Sequence, residues 1–220
     1  MPESKINICF AADENYIKPL AVAIISLVSN NPSKRKIDLF ILDGGVSDAS
    51  KKGIVNMLIK YSNVEVFWTK PDLTLVKSLN ATGHVSMVTY FRILIPEVLP
   101  QLVEKVIYMD CDLVVLGDIA LLWDNHQDFH TLAVRDAGLR FVSNPSAIKH
   151  FTFFGLDEKS HYFNAGVLVI NLKKWRMENI SIKLATLLKE HSQNFRWWDQ
   201  DALNVVLNKS WEALSPAWNQ

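Results

Sequence analysis

The sequence has 220 residues, of which 49% are hydrophobic, and its 23 basic residues equal its 23 acidic residues in number. This length suits one domain with a sizeable core, and zero net charge gives no electrostatic reason to expect nucleic acid as a partner. The two cysteines, Cys9 and Cys111, lie in apolar runs, which predicts buried thiols of a reduced, cytoplasmic protein. We recognise neither a signal peptide nor an apolar run of transmembrane length, so any membrane contact would be peripheral.

Strands and helices alternate along the first half of the chain. Apolar patterning predicts six strands, over residues 5–12, 37–42, 64–68, 103–109, 131–134 and 163–170. It also predicts four helices, two that begin near residues 16 and 47 and two that span 181–191 and 199–207. This alternation predicts an α/β fold in a single domain, with a mostly parallel sheet flanked by helices. Ligands of such sheets bind outside the carboxyl ends of the strands.

Two aspartates, Asp110 and Asp112, follow the predicted fourth strand and stand one residue apart. Side chains at positions i and i+2 of an extended segment share a face, so both carboxylates should converge on one point. Carboxylates beside a buried strand are costly unless they are paired, hydrogen-bonded or bound to metal. Carboxylate oxygens are typical ligands of Mg²⁺ and Mn²⁺. Since the sequence has no glycine-rich phosphate loop, a cation on this pair could hold nucleotide phosphates instead.

The same segment allows two other interpretations. It matches the D-x-D-x-[TV] pattern of haloacid-dehalogenase-like phosphatases, in which the first aspartate is a nucleophile. That motif normally lies near the amino terminus and precedes a further acidic pair, whereas here it begins at residue 110 and no adjacent aspartate pair follows. The aspartates could also merely begin a turn. The phosphatase is therefore the lesser alternative to a metal site.

Three further segments stand in order around the aspartate pair. They are residues 10–16 (FAADENY), 162–176 (YFNAGVLVINLKKWR) and 198–204 (WDQDALN). Together with residues 108–112 (YMDCD), they resemble the motifs of glycosyltransferase family 8 over nearly the whole chain. The resemblance implies one catalytic domain over residues 1–220 with the GT-A fold, which contains a Rossmann-like nucleotide-binding half. It also implies Mn²⁺ (or Mg²⁺), a UDP-sugar donor, a saccharide or glycan acceptor, and transfer of galactose or glucose with retention of configuration.

The resemblance assigns a role to each matching position. The stretch that holds uracil and ribose corresponds to Ala11, Asp13, Asn15 and Tyr16. The motif that binds the metal and the diphosphate corresponds to Asp110, Cys111 and Asp112, with the two aspartates as metal ligands. Residues near the donor phosphates and sugar correspond to Arg92, Asp136, Asn164 and Ala165. The pair beneath the reacting carbon corresponds to Asp199 and Gln200, which with Asp136 form the candidate catalytic group.

Each of these side chains also has a structural alternative. Asp13 and Asn15 could cap a helix, Asn164 could satisfy a buried turn, and Arg92 could pair with Glu97 at the surface. His84 could face the donor pocket or be structural. Retention could follow either a covalent intermediate or attack on the face that UDP leaves. Because an amide is a poor nucleophile, Gln200 favours the second route, with Asp199 and Gln200 as positioning groups.

The chain departs from the family pattern at its carboxyl end. Family members continue past the position of Asn219 with a His-x-x-Gly-x-x-Lys-Pro-Trp segment, which supplies a third metal ligand and a lysine on the diphosphate. The sequence ends at Gln220 without this segment. We therefore expect weaker donor binding and weak or absent transfer by residues 1–220 alone. A non-catalytic UDP-sugar-binding protein is accordingly the first alternative function.

Overall fold

The structure, a computed structural model, describes residues 5–79, 86–125 and 129–220. Within these ranges seven strands form one sheet in the order β3-β2-β1-β4-β6-β5-β7. The strands are β1 (Ile6–Ala12), β2 (Ile37–Asp43), β3 (Val64–Thr69), β4 (Lys105–Met109), β5 (Thr131–Arg135), β6 (Phe163–Asn171) and β7 (Trp211–Leu214). All six strands expected from the apolar pattern are confirmed.

Helices cover both faces of this sheet. They are α1 (Ile17–Ser29), α2 (Asp48–Leu58), α3 (Ile95–Val98), α4 (Ile119–Trp123), α5 (Leu172–Met177), α6 (Ile180–His191) and α7 (Trp198–Val206). Short 3₁₀ helices span Glu14–Tyr16, Met87–Leu94, Phe151–Phe154, Ser192–Asn194 and Pro216–Trp218. No helix of the described ranges is long and apolar enough to cross a membrane.

The direction of β6 decides where the ends of the strands meet. Strands β3, β2, β1 and β4 are parallel, whereas β6 is antiparallel to both of its neighbours, β4 and β5. The amino-terminal residues of β6 therefore lie at the same edge of the sheet as the carboxyl ends of β1, β4 and β5. The backbone N–H of Asp110 donates to the carbonyl oxygen of Gly166 at 2.8 Å, which ties the end of β4 to β6 at this edge. The sheet is thus mixed and mostly parallel, as expected.

The core has one apolar layer on each face of the sheet. Alternate residues of β1 enter different layers: Ile8 and Phe10 pack with α1, α2 and α4, whereas Cys9 and Ala11 pack with α3, α5, α6 and α7. Both faces of the central parallel strands are therefore buried, which explains their nearly continuous apolar sequence. Cys9 and Cys111 are both buried and free, as expected.

Helices α3, α4 and α5 were not expected from the sequence, and three further features also differ from the expectation. Strand β7 was missed because its four residues lie at the edge of the sheet, where one paired neighbour suffices and apolar alternation is weak. The 3₁₀ helix over Met87–Leu94 was also missed, although it carries Arg92. Strand β4 ends at Met109, and Asp112 lies in a turn. The argument that Asp110 and Asp112 share a face of an extended strand is therefore wrong, and the turn brings them to one cleft instead.

Candidate donor-binding and transfer site

A cleft of about 230 Å³ opens at the carboxyl ends of β1 and β4. Most of the residues predicted to bind nucleotide and metal line it: Ala11, Asp13, Tyr16, Arg92, Asp110, Cys111 and Asp112. The same cleft is lined by Ser86, Val88, Thr89 and Tyr108, which sequence reasoning missed. Asn15 is exposed and does not line the cleft, and His84 lies outside the described residues.

Asp13 acts both as a cap and as a tie across the cleft. Its Oδ1 accepts hydrogen bonds from the backbone N–H groups of Asn15, at 3.0 Å, and Tyr16, at 3.3 Å. Its Oδ2 accepts one from the hydroxyl of Ser86 at 3.0 Å. The cap alternative for Asp13 is therefore correct, while the bond to Ser86 also fixes the start of the segment that carries Arg92.

Among the described residues, the carboxylate of Asp110 is bonded through one of its two oxygens only. Its Oδ1 accepts a hydrogen bond from the Tyr108 hydroxyl at 2.7 Å and lies 3.2 Å from Arg92 Nη2. Burial raises the pKa of Asp110, and the nearby charge of Asp112 raises it further, whereas Arg92 opposes the change. A neighbouring carboxylate that raises the proton affinity of Asp110 favours a cation between the two side chains.

The residues present fit a hard divalent cation. Among the described residues no group of three His, Cys, Asp or Glu side chains could hold a metal, so protein ligation would rest on Asp110 and Asp112. Gly166 keeps space beside them, because a Cβ there would lie 3.2 Å from Asp110 Oδ2. Mg²⁺ and similar cations commonly use one or two carboxylates and complete their shell with phosphate oxygens and water.

Arg92 is the central cation of the site. Its side chain is only 11% exposed, stacks on the ring of Tyr108 at 4.9 Å, and donates from Nη1 to the carbonyl oxygen of Ala165 at 2.7 Å. Its Nε lies 2.8 Å from Asp199 Oδ2, but no hydrogen bond reaches that oxygen from the described residues, so the contact is ionic. Arg92 thus joins the metal end of the site to Asp199, and the proposed surface pair with Glu97 is wrong.

Asp199 is held in an environment that disfavours its charge. The residue is 2% exposed, and burial raises its pKa to about 6, although Arg92 acts in the opposite direction. Asp199 belongs to the first turn of α7, the position at which a helix favours negative side chains. At pH 7 the carboxylate is therefore mostly ionised, but it gains a proton in mildly acidic solution.

The amide of Gln200 is fixed at both ends. Its Oε1 accepts a hydrogen bond from the backbone N–H of Ala165 at 2.9 Å, and its Nε2 donates to the Tyr162 hydroxyl at 3.3 Å. That hydroxyl donates in turn to Asp201 Oδ1 at 2.6 Å, and Asp201 is fully buried. Sequence reasoning missed Tyr162 and Asp201, although Asp201 lies one helical position beyond the predicted pair.

Asn164 and Asp136 form the far side of the site. Asn164 Nδ2 donates to Asp136 Oδ2 at 3.1 Å, while Asp136 Oδ1 caps a turn by accepting from the backbone N–H groups of Gly138 and Leu139. Asn164 Oδ1 accepts from the Nδ2 of Asn219 at 2.8 Å, a residue that was not predicted for the site. The structure thus brings all the predicted residues into one connected region, which Asn15 joins through its backbone N–H alone.

Comparison with known proteins identifies the family to which the chain is similar. Residues 7–220 match the model of Glycosyl transferase family 8. General stress protein A of Bacillus subtilis (strain 168) is 31% identical over 97% of this chain and 73% of its own length. Lipopolysaccharide 1,3-galactosyltransferase of Salmonella typhimurium is 30% identical over 92% of this chain and 60% of its own length. The chain thus spans between about three fifths and three quarters of these relatives.

The fold agrees with that family. The crystal structure of the galactosyltransferase LgtC in complex with donor and acceptor sugar analogs matches with a TM-score of 0.81 and 29% identity, and covers 96% of this chain and 74% of LgtC. The haloacid-dehalogenase-like alternative is therefore wrong. This chain belongs to glycosyltransferase family 8 and has the GT-A fold.

Proposed function

We propose that residues 1–220 form one catalytic domain that transfers galactose or glucose from a UDP-sugar to a saccharide or glycan acceptor, with retention of configuration. The observation that carries the proposal is the unbroken series of contacts from Asp110 through Arg92 to Asp199. It joins a cleft suited to a nucleotide diphosphate to a group suited to a reacting sugar. The cytoplasmic location expected from the free, buried cysteines belongs to the same proposal.

In this proposal the cleft at β1 and β4 holds UDP. Asp110 and Asp112 would hold Mn²⁺ or Mg²⁺, which would supply positive charge to the leaving diphosphate. The rim formed by Ala11, Asp13 and Tyr16 borders the nucleoside, and Asn15 contributes through its backbone N–H, which donates to Asp13. Cys111 lies between the two aspartates, where its thiol donates to the carbonyl oxygen of Ala11 at 3.1 Å and so holds the turn against β1.

The sugar then lies over the group formed by Asn164, Ala165, Asp136, Asp199 and Gln200. Positive charge develops on the reacting carbon as the bond to phosphate breaks, and the ionised carboxylate of Asp199 stabilises that charge. Both ends of the Gln200 amide are already bonded, which supports a positioning role rather than nucleophilic attack. Attack by the acceptor on the face that UDP leaves accounts for retention without a covalent intermediate.

A non-catalytic UDP-sugar-binding protein is the second candidate function. It is favoured by the small number of metal ligands, since the described residues offer two carboxylates and no third His, Cys, Asp or Glu beside them. This second candidate predicts weak or absent transfer by residues 1–220 alone. Robust turnover of UDP-galactose or UDP-glucose by this chain would refute that expectation and the binding-protein alternative together.

The test is thermal stabilisation of the purified chain by UDP, UDP-galactose, UDP-glucose and ADP, each with and without Mn²⁺. We expect Mn²⁺-dependent stabilisation by the uridine compounds and much less by ADP, because binding to the native state raises stability by mass action. The variant Asp110→Asn should lose the Mn²⁺-dependent part. Its control, Asp118→Asn, keeps a side chain that can cap α4 and should respond like the wild type. No response to any uridine compound would refute the proposed function.

A further inference from the structure

Asn219 lies in a short segment that is anchored independently of the site. The hydroxyl of Ser215 accepts a hydrogen bond from the backbone N–H of Ala217 at 3.4 Å and begins the 3₁₀ helix Pro216–Trp218. The ring of Trp218 packs against the apolar layer of α1, α2 and α4, and the backbone N–H of Asn219 donates to the carbonyl oxygen of Pro216 at 3.1 Å. The side chain of Asn219 is therefore presented to the site by a fixed turn.

The hydrogen bond from Asn219 is one of three that together fix which way the Asn164 amide faces. Asn164 Oδ1 accepts from two donors, the backbone N–H of Gly166 at 2.8 Å and Asn219 Nδ2 at 2.8 Å. With both acceptor positions of Oδ1 used, the NH₂ group must face the opposite way, where it donates to Asp136 Oδ2 at 3.1 Å. A reversed amide would place NH₂ against two donors and oxygen against a carboxylate.

Asn219 also lies where the metal end and the sugar end of the site meet. A Cβ placed on Gly166 would be 3.0 Å from Asn164 Oδ1, 3.2 Å from Asp110 Oδ2 and 3.3 Å from Asn219 Nδ2. These three side chains therefore surround one point beside β6. A shift of Asn219 would change the Asn164 amide without contact with the nucleoside end of the cleft, which is lined by Ala11, Asp13 and Tyr16 rather than by residues 215–220.

We propose that Asn219 is a positioning residue for the hexose of the donor: it fixes the Asn164 amide so that Asn164 and Asp136 present one set of hydrogen-bonding groups to the sugar. This inference rests on the proposed function, because it takes Asn164 and Asp136 as the residues that line the sugar. The inference assigns different roles to the binding of the hexose and the binding of the UDP part of the donor. Asn219 governs the affinity for the hexose and contributes nothing to the affinity for UDP.

The experiment measures dissociation constants for UDP and for the UDP-hexose with the larger stabilising effect, both with Mn²⁺, by titration calorimetry. Asn219→Ala removes the donor to Asn164, and Asn219→Leu replaces it with an uncharged side chain of similar size that cannot donate. Both should weaken UDP-hexose binding about five- to tenfold, the usual effect of one lost hydrogen bond, and leave UDP binding unchanged. Ser215→Ala is the matched control, because it removes a cap from the same segment without contact with Asn164, and should leave the ratio of the two constants unchanged.

A second readout needs no ligand. The side-chain NH₂ resonances of Asn164 in a ¹⁵N correlation spectrum should shift in Asn219→Leu and remain in place in Ser215→Ala. Unchanged resonances, or a wild-type ratio of the two dissociation constants in Asn219→Leu, would overturn the inference. Failure of the proposed function is distinguishable, since the wild-type chain would then bind neither UDP nor the UDP-hexose.

Discussion

Replacement of Asp199 by asparagine should remove a pH dependence from the stability of the domain. Burial raises the pKa of the Asp199 carboxyl to about 6 in the folded protein, against about 3.9 for an unperturbed aspartate. Between these values the folded state binds more protons than the unfolded state, so stability falls as the pH rises. Integrated from pH 4 to pH 7.5, this difference in bound protons lowers the free energy of unfolding of the wild type by about 2 kcal/mol. A side-chain amide cannot ionise, so the Asp199→Asn variant lacks this loss.

The assay is urea unfolding of the wild type and Asp199→Asn at pH 4.0, 5.0, 6.0 and 7.5. Other titrating groups are common to both proteins, so they largely cancel when one free energy of unfolding is subtracted from the other. We expect the variant to gain about 2 kcal/mol relative to the wild type across this range, with most of the change between pH 4 and pH 6. Glu190→Gln, which alters an exposed carboxyl on α6, should give a much flatter difference.

A flat or opposite slope would refute the reasoning. It would mean that Arg92, whose Nε lies 2.8 Å from Asp199 Oδ2, stabilises the carboxylate by at least as much as burial destabilises it. Asp199 would then be fully ionised throughout the accessible pH range. Its proposed role under the reacting carbon would survive, but the expected loss of that charge below about pH 6 would not.

Three further outcomes test the neighbouring contacts. Gly166→Ala should fold but lose Mn²⁺-dependent stabilisation by UDP, since its methyl group would crowd Asp110 Oδ2; an unchanged response would mean that the cation binds elsewhere. Tyr162→Phe removes the donor to the buried Asp201 carboxylate, so urea unfolding should show a free energy of unfolding that is lower by about 2–3 kcal/mol. A decrease below about 0.5 kcal/mol would mean that Asp201 is not charged. The guanidinium of Arg176 donates to five backbone carbonyl groups of residues 96–103. Arg176→Met should therefore lower the free energy of unfolding by about 1–3 kcal/mol in the same assay. An unchanged free energy of unfolding would mean that water replaces the guanidinium at these carbonyl groups without loss of stability.

The sequence predicted the sheet because its strands carry strong apolar patterns. Central strands such as β1 and β2 are buried on both faces and consist almost wholly of apolar residues, so their identity does not depend on distant partners. Strand β7 and the 3₁₀ helix over Met87–Leu94 depend on neighbours that are remote in sequence. Their stability comes from pairing with β5 and from packing under the cleft, which no local pattern records.

The site residues that the sequence predicted belong to recognisable motifs. The residues that it missed hold another side chain in place. Asp110 and Gln200 belong to compact motifs. Tyr162, Asp201 and Asn219 act by hydrogen bonds to such residues, and the partners are up to 55 residues apart along the chain. A tyrosine or asparagine at that separation has no distinguishing pattern in one sequence, so only the folded geometry identifies it.

The reversed strand β6 also fixes the order in which the molecule can be completed during synthesis. Strand β6 occupies the place between β4 and β5 although it follows both of them in the chain. Until residue 171 has left the ribosome, β4 is an exposed sheet edge of apolar sequence, a surface prone to pairing with other chains. The carbonyl of Gly166 and the side chain of Asn164 are absent from the cleft for the same interval. A nucleotide sugar would therefore bind and stabilise only the finished domain.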